Sequence, residues 1–118
     1  MTSDNEPRSI VSEPGTWPLD GLQGKEVRLV TVEYETGVHT PPHRHPGWQL
    51  IFVLEGPIVS QIEGERSRQY ETGEWWYEPR EHLHLDVGND GQSPAKILAF
   101  YLTEPGQPVL IPEPVERA

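Results

Sequence analysis

The chain has no cysteine, and that absence removes disulfide frameworks, thiol nucleophiles and thiolate metal sites in one step. Any metal must be held by histidine, carboxylate, amide or water. Basic residues are scarce as well. Nine lysines and arginines stand against nineteen aspartates and glutamates, a formal net charge of −10. A surface of that sign repels a phosphate backbone and an anionic lipid face, so neither nucleic acid nor a membrane is an expected partner. No apolar run approaches the roughly 20 residues of a bilayer span. Met1 to Glu6 lack the basic and then apolar pattern of a leader, which makes a cytoplasmic protein the expectation.

What is abundant is backbone punctuation. Eleven glycines and thirteen prolines in 118 residues are too many for a helical bundle, because proline breaks helix ladders and glycine weakens helix interiors. One all-β domain with many turns fits that composition. The apolar pattern agrees. Strands are expected over Val27 to Tyr34, Gln49 to Leu54, Ile58 to Ile62, Ser67 to Tyr70, Trp75 to Tyr77, His82 to Val87 and Lys96 to Leu102, each closed by a turn signal such as Glu55-Gly56-Pro57 or Gly88-Asn89-Asp90-Gly91. Seven or eight short strands with no helix predict an antiparallel sandwich or barrel. Residues 1–14 are polar and aperiodic and are expected to be a mobile arm. The barrel should then occupy residues 15–104, with a proline-rich tail over 105–118.

The chemistry lies in five histidines that cluster: His39, His43 and His45, then His82 and His84. On an extended chain rising ~3.3 Å per residue, His43 and His45 point to one face about 6–7 Å apart and can meet one ion between them. Gln49 follows on the same face of a regular strand, offering an amide oxygen. His84 would add a third imidazole from a distant strand, with His82 as its alternate. Without thiolates, neutral imidazole is the commonest metal ligand. In the 82–87 run strict alternation sets Leu83, Leu85 and Val87 on one face and His82, His84 and Asp86 on the other. Asp86 would then orient an imidazole or act as a general base. Tyr101 is a second candidate for a polar group in the pocket. Trp48, Phe52, Trp75, Trp76 and Tyr77 are expected mostly in the core, with some at an apolar mouth.

The spacing of these residues resembles the cupin superfamily. Gly37, five residues, His43, one residue, His45, three residues, Gln49, six residues and Gly56 reproduce the first cupin motif, G-x5-H-x-H-x3,4-E-x6-G, with Gln49 in place of glutamate. The second motif, G-x5-P-x-G-x2-H-x3-N, is matched at Gly73, Pro79 and His84. Glu81 replaces its inner glycine, and Asn89 falls one step late because Gly88 takes the asparagine place. The resemblance implies an antiparallel β-barrel or jelly roll (a double-stranded β-helix) and a homodimer. It also implies one divalent metal ion (iron, manganese, nickel or zinc) inside the barrel on His43, His45, Gln49 and His84. Expected activities are metal-dependent isomerase, lyase or dioxygenase chemistry on a small organic substrate. The alternative is a non-catalytic ligand-binding or sensor barrel with a structural metal. Gln49 leaves the ligand set neutral, so a bound ion would keep its full charge, which favours Lewis-acid over redox chemistry.

Overall fold

The computed structural model describes residues 9–21, 24–108 and 110–112. Among these there is no helix, and the strands run β1 (Ser9–Pro18), β2 (Glu26–Tyr34), β3 (His39–Thr40), β4 (His43–Arg44), β5 (Gln49–Glu55), β6 (Ile58–Ile62), β7 (Arg68–Tyr70), β8 (Trp75–Glu78), β9 (Leu83–Gly88), β10 (Ala95–Thr103) and β11 (Ile111–Pro112). They form two antiparallel sheets. One is ordered β1-β2-β10-β5-β8; the other is ordered β11-β4-β9-β6-β7, with β3 also paired to β9.

The seven expected strands are all present, within a residue or two at their ends. β10 shows why they were legible: Ala95, Ile97, Ala99, Tyr101 and Thr103 are buried, and every residue between them is only half-buried. That alternation belongs to a strand with one face on a core and the other turned away. Ile58, Ser60 and Ile62 of β6 repeat the pattern, as do Gln49, Ile51 and Val53 of β5. Their inward residues meet Val30 and Tyr34 of β2, Trp76 of β8 and Val87 of β9 in one core between the sheets.

The N-terminal end departs from expectation. Residues 1–8 of the expected arm lie outside the described residues, but from Ser9 onward the chain is a strand. β1 pairs along most of β2, broken by an irregularity between Ser12 and Gly15. It covers an edge that would otherwise leave the outer row of β2 backbone groups unpaired. In the tail, Ile111 and Pro112 pair with Arg44 and His43, whereas residues 109 and 113–118 lie outside the described residues. The aromatic expectation is also corrected. Trp76 is buried, but Trp75 is 55% exposed, and Phe52 and Tyr77 lie in the open. Strand alternation decides it: with Ile51 and Val53 on the inside of β5, and Trp76 and Glu78 on the inside of β8, the intervening aromatics must face out. There Phe52 stacks on Trp75, and Trp48 leans on Tyr77.

Candidate metal centre

Two rows of side chains face each other across the barrel. In the first sheet, Tyr101 is opposite Gln49, and Gln49 is opposite Glu78, so one inward row crosses β10, β5 and β8. In the second, His43 is opposite His84. Pro41 and Pro42 split what would be one strand into β3 and β4, and both pieces pair with β9. His45 follows two residues after His43, on its side of the chain.

These rows bring together His43, His45 and His84, all buried, each offering a ring nitrogen so that the three atoms lie within 4.8 Å of one another. Nε2 of His43 is 3.1 Å from Nε2 of His45. Nδ1 of His43 donates to the Pro41 carbonyl at 2.8 Å, which leaves Nε2 as the bare lone pair. Burial holds the His43 imidazole below its usual value, only partly offset by that carbonyl, so the ring is neutral and ligand-ready at neutral pH. The spacing of the His43–His45 pair is right too, because nitrogens bound to one ion at about 2.0–2.1 Å stand roughly 3–3.5 Å apart.

Gln49 passes a separate test. Its Nε2 donates to Glu78 Oε1 at 2.9 Å, and a carboxylate can only accept, so the amide orientation is set. Its Oε1 is then buried without a hydrogen-bond partner. An orphaned amide oxygen is costly unless something electropositive meets it, and a cation among the imidazoles would. The residues present therefore fit a metal ion.

His82 is exposed, so of the two alternates only His84 joins the cluster. Asp86 is elsewhere. Its Oδ1 is 2.7 Å from Nδ1 of His39, whose Nε2 is 2.7 Å from Asp90, and among the described residues it does not line the cavity. The cause is a bulge. Gln61 pairs with Asp86 but Ile62 pairs with His84, leaving Leu85 as one residue too many on β9. A bulge reverses the alternation beyond it, so His84 and Val87 both face the cavity while Asp86 turns to His39. The extra residue also matches the single step by which Asn89 runs late. Asn89 is buried and ties Tyr34 O, Ser93 O and the Gly91 amide together.

Glu81, in the place of the motif's glycine, has φ 65°. That is the left-handed region glycine enters freely. Its amide donates to His45 O, and its carbonyl accepts from Arg44, so the strained residue anchors the segment carrying two of the ligands.

Behind the ligands lies a residue that sequence reasoning missed. Glu78 is 1% exposed. Besides Gln49, its carboxylate accepts from Trp76 Nε1 at 2.8 Å and lies 2.9 Å from His84 Nδ1 and 3.8 Å from His45 Nε2. The approach to His84 Nδ1 is off the line of a good ring hydrogen bond and is a close polar contact. Burial alone would push the Glu78 carboxyl up, but His84 and Trp76 outweigh it and hold it below the usual range. In sequence Glu78 sits before Pro79 and reads as the end of a strand. Only the β5–β8 register reveals it.

The ligands sit at the polar end of a cavity of about 210 Å³. Much of its wall is apolar, with Val30, Val32, Ile51, Trp76, Val87 and Ile97 contributing. Tyr34 and Tyr101 supply hydroxyl groups. Burial raises Tyr34 to about 12 and raises Tyr101 further, so both remain protonated phenols. Tyr34 also shares a 2.7 Å hydrogen bond with Thr40 Oγ1, and the Tyr101 ring centroid is 5.1 Å from that of His45.

Residues 30–101 match the family model described as "Cupin domain". Among curated relatives, the germin-like protein subfamily 2 member 4 of Arabidopsis thaliana is 28% identical over 103 residues, covering 83% of this chain and 47% of the relative. The chain thus spans about half the length of such relatives. Among solved structures, recombinant oxalate oxidase in complex with glycolate superposes with a TM-score of 0.71 at 23% identity, over 95% of this chain and 58% of that one. DMSP lyase DddQ from Ruegeria pomeroyi DSS-3 superposes with a TM-score of 0.65 at 21% identity, over 73% and 42%.

Proposed function

The chain belongs to the cupin family, and from that premise we propose that it is a metal-dependent enzyme, of isomerase, lyase or dioxygenase type, acting on a small organic substrate inside the barrel. The observation that carries this reading is three buried imidazoles and an unpaired amide oxygen converging at the polar end of an apolar cavity. His43, His45 and His84 would hold one divalent ion, with Gln49 Oε1 beside them. Such an ion supplies Lewis acidity, polarising a carbonyl or carboxylate oxygen.

The chain's own residues limit the substrate. A cavity of about 210 Å³ takes a body of up to roughly ten heavy atoms, since about 150 Å³ already holds benzene, and walls of valine, isoleucine and tryptophan favour an apolar one. Its oxygen end points to the imidazoles. Tyr101, a protonated phenol beside His45, donates a hydrogen bond to that oxygen or delivers its O–H proton. Tyr34 is oriented by Thr40 and does the same from β2. The likeness to an oxidase holding glycolate and to a lyase is consistent with small polar-ended substrates.

One observation favours a second reading, a ligand-binding barrel with a structural metal. Among the described residues lining the cavity there is no carboxylate to serve as a general base, since Asp86 faces His39 and Glu78 lies behind the ligands.

The test is metal analysis of protein purified without a histidine tag, with His43→Ala and His84→Ala alongside. About one equivalent of a divalent metal, lost in both variants, is expected. Iron would direct the next assay to oxygen consumption; zinc, nickel or manganese would direct it to lyase and isomerase screens. A protein that neither contains nor takes up metal overturns the enzyme reading.

A further inference from the structure

We infer that Glu78 is the counter-charge of the cation held by the imidazole cluster: a carboxylate set behind His84 and Gln49, off the cavity wall, that determines how tightly the centre binds metal. The inference rests on the reading of His43, His45 and His84 as a cation site.

The argument begins with charge. Among the described residues Glu78 is the only fully buried carboxylate, and no lysine or arginine is buried with it. A buried anion without a cation is costly, and proteins meet that cost by pairing the charge or neutralising it. The groups around Glu78 are two imidazoles, an amide and an indole. Only the imidazoles can carry positive charge, and those same rings converge on a shared point. A divalent ion at that point gives the carboxylate its partner without protonating a ligand.

The geometry supports the same assignment. Glu78 Oε2 lies 2.9 Å from Nδ1 of His84, and Ser60 Oγ shares a 2.8 Å hydrogen bond with Nε2, so the ring is held from both nitrogens. A carboxylate set against a ligating imidazole orients the ring, and removing such an outer partner typically weakens metal binding 10- to 100-fold. The other oxygen holds Gln49 Nε2, which turns Gln49 Oε1 free. One side chain thus aligns two ligands and supplies the negative charge that the neutral set of three histidines and a glutamine lacks. The Trp76 indole fixes Glu78 in turn. Because Glu78 does not line the cavity, it is a positioning residue rather than a catalytic one.

The test uses Co²⁺ as probe, with affinity read by chelator competition and ligand geometry by the visible absorption of the bound ion. Glu78→Gln keeps shape and removes charge; its Co²⁺ affinity should fall about 10- to 100-fold, with an altered spectrum. Exchanging the two groups across their hydrogen bond, Gln49→Glu with Glu78→Gln, returns the carboxylate to the centre. Affinity should then recover to within about threefold of the unaltered chain, since the counter-charge is restored. A purely structural Glu78 would lower thermal stability equally with and without Co²⁺ and leave affinity unchanged, which overturns the inference. If Glu78→Gln does not fold, the exchanged pair decides alone: binding retained supports the counter-charge, binding lost overturns it. Histidine variants that bind Co²⁺ like the unaltered chain would overturn the underlying site reading instead.

Discussion

A cluster of three histidines and a single histidine between two aspartates lie on the two sides of β9, and they differ in burial and in charge. On the inner side His43, His45 and His84 are buried among apolar side chains and one another; on the outer side His39 sits partly exposed between Asp86 and Asp90. Burial lowers the His43 pKa, while the hydrogen bond to Asp86, with Asp90 behind it, raises that of His39. The same imidazole is thus prepared as a neutral ligand on one side and as a cation on the other. Solvent and carboxylate placement make the difference, so the residue type alone does not say which role it has.

The sharpest way to break this comparison is to remove one ring from each side. His43→Leu should reduce Co²⁺ affinity by more than about a hundredfold, since it deletes a ligand rather than a neighbour of one. His39→Leu should leave it within about twofold, because that ring bonds Asp86 and Asp90 and none of the three clustered histidines. Equilibrium dialysis of the two variants checks both. Equal losses would show that the clusters act as one.

The inner cluster was largely legible in the sequence, and the reason is spacing. His43 and His45 lie two apart along the chain, which keeps them together, whereas Gln49 arrives from the other sheet after a turn over residues 45–48 rather than along one regular strand. The fold class was legible on similar grounds, from period-two runs such as 95–103. What could not be read depended on register. Counting by twos put Asp86 with His84, and one bulged residue, Leu85, reversed that. Glu78 needed the pairing of β5 with β8. The aromatic residues 52, 75 and 77 look like core by type, yet their parity relative to Val53 and Trp76 puts them outside. Apolar character identifies a strand, but which of its faces is inside depends on its neighbours.

A smaller effect comes from the turn that holds the inner cluster. Glu81 pays for a left-handed backbone that costs a side-chain-bearing residue about 1–2 kcal/mol, part of which glycine gives back through its freer unfolded chain. Glu81→Gly should therefore stabilise the protein by about 0.5–1 kcal/mol in urea unfolding. Co²⁺ affinity should stay the same, since the bonds to His45 and Arg44 are made by the backbone. A destabilised variant would mean that the Glu81 side chain contributes more than its main chain loses.

The smallest effect tests the outer cluster, and its sign is opposite to that expected from a buried neutral histidine. The folded pKa of His39 lies above its ordinary 6.5, so between the two values the folded chain holds a proton that the unfolded chain has released. Its stabilisation is complete below 6.5 and is lost as pH rises through the folded value. Asp90 is well exposed and the pair is screened by water, which limits the contribution to about half a kcal/mol, or roughly 1–3 °C in Tm. Replacing both partners, Asp86→Asn with Asp90→Asn, should flatten that part of the Tm-against-pH curve and leave its alkaline end unchanged. High salt should flatten it in the unaltered chain as well, because exposed charges are screened within about 10 Å at 0.1 M. A slope that survives both treatments would have to come from other groups, and the outer histidine would then be no more charged than the inner ones.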